Sequence, residues 1–320
     1  MGEAGTRRRA APTWDDLRLF LAVARAESLT GAGRRLGLDT ATVGRRLDRL
    51  EAALGARLVL RSPQGCRLTE AGRRLLEKAA AAELALEGAL EAVHAGEGRL
   101  SGTVRVGAPD GCANFVLPQV CAAIADANPG LEIQIVALPR VFNLSRREAD
   151  MAIAVSPPEA GRLTVQRICD YHLHLAASDG WLARHGPIRS RADLEGRRVI
   201  GYIPDMIFDR ELDYLDVIAP DARAELASNS VTVQLAMIRH GAGVGIVHDF
   251  ALPFAPEVRR VLAEEIALTR QFYLIRHAED RHIDRLGRFA ELLAAGVRRE
   301  IRRLEAQVAA GERGPSLRPL

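Results

Sequence analysis

Apolar residues recur along this chain in two rhythms, and the change between them divides it. Over 14–27, WDDLRLFLAVARAE, Leu17, Phe20, Leu21 and Ala24 stand at i, i+3, i+4 and i+7, one face of an amphipathic helix. Asp15 and Asp16 suit its first turn, where the helix dipole favours negative charge. Ser28 or Thr30 can cap a second short helix, GAGRRLG, that stops at Gly37. Asp39 or Thr40 then caps a third helix running to about Leu54. Three short helices with a tight glycine-containing turn between the second and third make a helix-turn-helix pattern. After Gly55, RLVLR, SPQG and CRL read as strand, turn and strand. Thr69 opens a long alanine- and leucine-rich segment without proline, which predicts one long helix. Leu75, Leu76, Ala79, Leu86, Leu90 and Val93 keep a roughly heptad-like seam along it. Such a seam packs either on its own chain or on a second copy.

GEGRLSG, 96–102, reads as a hinge, and beyond it strands alternate with helices. TVRVGAP, LEIQIVAL, MAIAV, RRVIGYI, VGIVHD and RQFYLIRH have the texture of strands. LTVQRICDYHLHLAAS is long enough for a strand that passes between two lobes. FVLPQVCAAIADANPG, TVQLAMIRHGAG and RHIDRLGRFAELLAAGVRREIRRLEAQ read as helices. This alternation argues for mostly parallel sheets. The final GERGPSLRPL, 311–320, is expected to be a disordered tail.

Charge changes the picture of the first third. The whole chain has a formal net charge of +3, and Lys78 is its only lysine, so the arginine count by itself says little about nucleic acid. Residues 1–100, however, carry 17 basic and 13 acidic side chains, and the other 220 carry 27 and 28. Within 30–74 the balance is ten against four, which points to an anionic partner for that region alone. No stretch approaches the ~20 apolar residues of a membrane span. The first residues lack the apolar core of a signal peptide, so the expected compartment is the cytoplasm. Cys66, Cys112, Cys121 and Cys169 form no CxxC pair, against a disulfide framework or zinc ribbon.

On the third helix the charge has a direction. At 100° per residue Val43, Leu47, Leu50 and Leu54 fall within about 60° of one another, as a buried stripe. Thr42, Arg45, Arg46 and Arg49 fall opposite it. Guanidinium pairs bidentately with guanine or phosphate, and the second helix of a helix-turn-helix fits the major groove. Arg61 and Arg67 flank the hairpin turn, placed for the adjacent backbone or minor groove. A solvated charged face is the alternative.

The stretch SLTGAGRRLGLDTATVGRRLDRLEAALGARLVLRS…RLTEAG closely resembles the N-terminal winged helix of LysR-type transcriptional regulators. NPGLEIQIV, READMAIAV and HGAGVGIV resemble later family segments, so the likeness spans roughly 15–300. The resemblance implies an α/β protein with an N-terminal all-α winged helix-turn-helix, then a two-lobed, periplasmic-binding-protein-like effector domain of mostly parallel α/β sheets. It sets these expected bounds: disordered N-terminus 1–13, DNA-binding domain 14–68, dimerising linker helix 69–95, hinge 96–102, regulatory domain 103–300, helix end and tail 301–320. Lobe one takes about 103–172 and 274–300, and lobe two about 173–273. The implied partners are double-stranded DNA, a small-molecule effector, and further copies of the chain as a dimer or a tetramer; no cofactor is implied. Thr30, Arg34 and Thr40 complete the expected DNA-contacting set. The chain departs from the family's usual Ser-Gln-Pro-Ala-Val-Ser: Thr40 replaces the base-reading glutamine and Gly44 the second serine. Val59 stands where phenylalanine is usual before the wing.

For the effector, GAPDGCANFVLP places a loop after the first strand, with Asp110, Gly111, Cys112 and Asn114 at the cleft and backbone amides able to receive an anion. By resemblance the cleft also draws on Phe142, Tyr202 and Ile203, then on the run Asn229 to Thr232 with Val231, and lastly on the run Val247 to Asp249. Asp110 and Asp249 there disfavour a purely anionic effector. Three sharper readings are discounted. His172 and His174 share a strand face but lack a third metal ligand. Cys112 and Cys121 as a redox pair compete with ordinary buried thiols. Hydrolysis at His248 and Asp249 lacks a GxSxG. The rival from another class is a small-molecule binding protein or enzyme that uses its N-terminal domain only to oligomerise.

Overall fold

Thr13 starts helix α1 (Trp14–Ala26) through a reciprocal capping box with Asp16. The computed structural model describes residues 11–62, 65–94, 99–137, 149–158, 162–218, 222–278, 280 and 283–311. They fall into two units, 1–94 and 95–320. In the first, Ser28 caps α2 (Leu29–Leu36) and Asp39 caps α3 (Thr40–Leu54). Gly37 and Gly55 end these helices at φ 67° and 66°, a left-handed turn that glycine enters without steric cost. Strands β1 (Val59–Ser62) and β2 (Gly65–Leu68) pair antiparallel as the wing. Thr69 then accepts from the Gly72 amide to open α4 (Glu70–His94).

α1 is buried more widely than one stripe: Leu19, Phe20, Leu21, Ala22 and Val23 are all in the core. Val43, Leu47 and Leu50 of α3 join them, but Leu54 is 41% exposed, because the helix ends there and turns away at Gly55. Leu76, Ala79 and Ala80 of α4 pack into the same core. Farther along, Leu86 is exposed, and the side chains of Leu90 and Val93 lie outside the described set.

The second unit opens with β3 (Ser101–Ala108), which starts two residues inside the expected hinge: Ser101 and Gly102 already pair with Gly130 and Leu131 of β4 (Gly130–Ala137). Between them α5 (Asp110–Phe115) and α6 (Leu117–Ala127) replace the single helix expected over 115–130. The break falls at Val116, just before Pro118, which suits only a first turn. β5 (Met151–Ala154) completes a parallel β4-β3-β5 ladder, lobe one. β6 (Leu163–Ser178) is the expected long strand between lobes. After it come α7 (Asp179–His185), β7 (Val199–Gly201), α8 (Leu215–Ile218), β8 (Leu226–Ala227), α9 (Val231–Arg239) and β9 (Val244–His248). β8, β7 and β9 form a second parallel ladder, lobe two. β10 (Val258–Arg260) lies on β6, and β11 (Ala267–His277) runs antiparallel to β6 along its length, with a bulge at Phe272/Tyr273. The sheet is therefore mixed. It is parallel inside each lobe and antiparallel where β6 and β11 cross between them. α10 (Asp284–Ala309) closes the unit with a stripe from Leu286 and Phe289 to Ile301 and Leu304. Of the expected tail, residues 312–320 lie outside the described set, as do the first ten residues of the expected disordered N-terminus.

Candidate functional site

At the head of α3 the cap and the charged face are one hydrogen-bonded string. Asp39 accepts from the Thr42 amide at 2.8 Å and from its hydroxyl at 2.6 Å. These bonds hold the Asp39 carboxyl below its ordinary range. The Thr42 hydroxyl in turn accepts from Arg45 Nη2 at 2.9 Å. Thr40 donates to the Thr30 hydroxyl at 3.4 Å, a weak link joining the N-termini of α2 and α3. Thr30, Arg34, Thr40 and Arg45 are exposed, and Thr42 is half-buried between them. Hydroxyls, a guanidinium and two helix N-termini thus share one solvent-facing surface, able to meet phosphate oxygens or base edges.

Not all the arginines stand free on that surface. Arg49 Nη2 binds Asp16 Oδ1 at 2.8 Å, and Arg46 Nη2 approaches the same oxygen at 3.6 Å. Burial pushes the Asp16 carboxyl up, but hydrogen bonds from Arg49 and Thr13 outweigh it and hold the group at about 2. Two of the three helix cations therefore lean toward α1. On the wing Arg61 pairs with Asp48 at 2.6 Å, while Arg67 is exposed and in no ion pair among the described residues. A residue the sequence reading overlooked fixes the wing to α3. Buried Glu51 accepts from the Leu58 and Val59 amides at 2.7 and 3.0 Å. Its only signal was an acid on the buried side of the helix.

In the second unit Asp110, Gly111, Cys112, Tyr202, Asn229 and Val231 come together round a cavity of about 20 Å³. Thr232 reaches it through Asp110, which accepts from the Thr232 amide and hydroxyl at 3.0 and 3.1 Å and from Ser230 Oγ at 2.8 Å. Gly111 lets α5 approach α9 closely, since a Cβ there would lie 3.0 Å from Val231 Cγ2. The rest of the wall is Tyr171, Phe208, His248 and Phe272 with Pro109, Val155 and Leu212. Tyr171 stacks on Phe272 with centroids 4.2 Å apart. Burial pushes the His248 imidazole down to about 4, so it is neutral at pH 7.

Other expected residues are placed elsewhere. The segment after β3 is helix, not loop: the Ala113 amide bonds Pro109 O, and Asp110 itself stands at the N-terminus where an anion was expected. Asn114 does not line the cavity but donates to the Asp110 carboxylate at 3.0 Å. Ile203 is absent from the wall, and Val247 lines a small neighbouring cavity with Leu235. Asp249 points away, bonded to His174 Nδ1 at 2.8 Å and Arg260 at 3.3 Å. His248, between Val247 and Asp249, is the residue that faces the cavity. Phe142 lies outside the described residues. His172 pairs with Glu305 at 2.8 Å, so each histidine of that strand face has a carboxylate partner. All four cysteines are free thiols. Burial raises Cys112 strongly and pushes Cys121 and Cys169 up to about 11. No helix among the described residues is long and apolar enough to cross a membrane.

These features meet known proteins at both ends of the chain. Residues 14–73 match the family described as "Bacterial regulatory helix-turn-helix protein, lysR family", and 97–298 match the "LysR substrate binding domain". The HTH-type transcriptional regulator PtxR of Pseudomonas aeruginosa is 28% identical over 246 residues, 75% of this chain and 77% of that one. A protein of Mycobacterium avium named "Probable hydrogen peroxide-inducible genes activator" is 31% identical over 274 residues, 81% and 85% of the two chains. Among solved structures, a full-length OxyR variant from Pseudomonas aeruginosa shares the fold with a TM-score of 0.68 at 21% identity, over 90% of this chain and 95% of that one. The chain belongs to the LysR family of bacterial transcriptional regulators, which are DNA-binding proteins with an effector-binding domain and not enzymes.

Proposed function

We propose that this regulator reads its operator with the joined N-termini of α2 and α3. Thr30, Arg34, Thr40, Thr42 and Arg45 make the direct contacts, and Arg67 with Arg61 on the wing holds adjacent phosphate. Arg46 and Arg49 contribute positive potential and support the helix through Asp16. The carrying observation is the exposed Thr30–Thr40 and Thr42–Arg45 hydrogen bonds, which hold polar groups from two helices on one surface. α4 pairs two copies: its inner half is packed in its own core while Leu86 is left at the surface. Paired heads would engage half-sites about one helical turn (~34 Å) apart, and dimers pair further into a tetramer. Such a protein works in the cytoplasm, with the DNA.

The effector site is the aromatic cavity between the lobes. Its volume fits roughly one water, so an effector acts by opening the lobes, and differential affinity for the open arrangement drives the switch. Cys112 and Cys121 do not suit the peroxide response that the relative's name carries. A peroxide-sensing thiol needs thiolate character and access, and Cys112 and Cys121 are buried with raised values.

The test is selection of genomic DNA fragments by the purified full chain, followed by sequencing. Recovery of a few short sites with two-fold symmetry is expected. Even recovery across the genome, or none, would sink the assignment of this surface.

A further inference from the structure

Two carboxylates clasp the cleft of the second unit, one from each lobe. Asp110 of lobe one takes three donors at the start of α9 in lobe two. Asp209 of lobe two accepts from the hydroxyl of Ser156, just beyond β5 in lobe one. The cavity between them is walled by Tyr171, Tyr202, Phe208 and Phe272. No arginine or lysine lines it among the described residues. Arg270 is held by Glu211 at 2.6 Å, and Arg260 by Asp249. His248, kept neutral by burial, offers no countercharge.

At the N-terminus of α9, a feature that attracts anions, three amides are already taken. The Thr232 amide goes to Asp110, the Val233 amide to Ser230 Oγ, and the Gln234 amide to Ser230 O. Among the described residues a carboxylate entering here meets like charge and no cation, and three α9 amides are already taken. An ammonium meets an acceptor and aromatic faces, which attract cations.

We infer that Asp110 sets the charge class of the effector: the cavity takes an amine-bearing aromatic small molecule, whose N–H groups replace Ser230 and Thr232 on Asp110, and rejects the matching carboxylate. This rests on reading the cavity as the effector site. It also supplies the switch, because an amine on Asp110 releases α9 from lobe one.

The probes are three matched pairs, benzylamine and benzoate, phenethylamine and phenylacetate, tyramine and 4-hydroxyphenylacetate. Each is titrated calorimetrically into the full chain at pH 7. At least one amine should bind roughly tenfold or more tighter than its partner, a difference of ~1.4 kcal/mol. Asp110→Asn should bring that ratio below about threefold. Thr232→Val, which removes a competing donor and keeps the carboxylate, should tighten amine binding severalfold. A carboxylate that binds tighter than its amine, an amine preference that survives Asp110→Asn, or no tightening in Thr232→Val each overturns the charge assignment alone. Silence of both series overturns it together with the reading of the cavity as the effector site.

Discussion

On α3 the arginines stand toward the solvent, and the acid that Arg46 and Arg49 share, buried Asp16, lies beneath them. Round the cavity of the second unit the charged groups are turned inward, and hydroxyls and amides, not cations, answer them. The two arrangements suit different partners. A polyanion is met by a surface whose cations reach the solvent. A small molecule is met by groups already desolvated and hydrogen-bonded, so that its own polar atoms have to match those it displaces. Substitutions on the first surface should change affinity in graded steps, and those at the second should change which ligand fits at all.

The largest expected effect tests how closed the inward region is. With Cys121 and Cys169 at about 11, the thiolate fraction at pH 8 is roughly one in a thousand, against about a quarter for a free thiol. Iodoacetamide should therefore modify them some hundredfold more slowly in the native chain than in urea, and Cys112 more slowly still. Mass spectrometry of each cysteine peptide reads the rates. Native alkylation at the free-thiol rate would show that this region opens readily to solvent.

Next in size is the tie between the outward surface and its scaffold. Glu51→Ala leaves two buried amides of the wing without an acceptor, at a cost of about 2–3 kcal/mol. Glu51→Gln keeps a carbonyl oxygen in place and should recover much of it. Denaturant unfolding measures both. Equal losses in the two variants would mean that charge, not hydrogen bonding, holds the wing.

The difference between the regions also explains what could be read along the chain. α3 is buried on one side only, so angular position separated Val43 and Leu47 from Thr42 and Arg45 without a structure. What angle could not show was Asp16, thirty-three residues before Arg49 and on another helix. β9 is buried at all five positions. A strand covered on both faces has no polar–apolar alternation to mark its sides. The resemblance pointed to the run Val247 to Asp249 as a whole, and only the fold shows that His248 within it faces the cavity. Tyr171 and Phe272 were hidden differently, on two long strands whose pairing and bulge are set by tertiary contacts. The winged helix rests on local periodicity, whereas the strand order and the cavity rest on which residues meet from distant segments.

Within the outward surface, Arg45 and Arg49 should separate. Arg45→Ala removes an exposed cation of the proposed reading face and should cost ~1–3 kcal/mol in specific DNA binding. Arg49→Ala breaks the pair with Asp16 and should register chiefly as lost stability, with a smaller, salt-dependent loss of affinity. Binding isotherms on a selected fragment at two salt concentrations, beside thermal melts, distinguish them. If Arg49→Ala weakens specific binding as much as Arg45→Ala, the pair with Asp16 is given up on DNA and the helix presents both guanidinium groups.

The smallest effect is the pH dependence of that pair. Asp16 titrates at about 2 in the folded chain, against its ordinary 3.8. The unfolded chain therefore binds the proton more readily, and the stabilisation is complete above about pH 4 and lost as pH falls through about 2. Arg49 is 66% exposed, so solvent screening reduces the contribution to roughly 1 kcal/mol. Amide hydrogen exchange in peptides from α1 and α3 should show Asp16→Asn less protected than the wild-type chain at pH 7, with the gap shrinking at pH 2.5. A gap unchanged with pH would place the stabilisation in the Thr13 cap, which an asparagine amide oxygen at that position would still have to replace, and would leave Arg49 free for DNA.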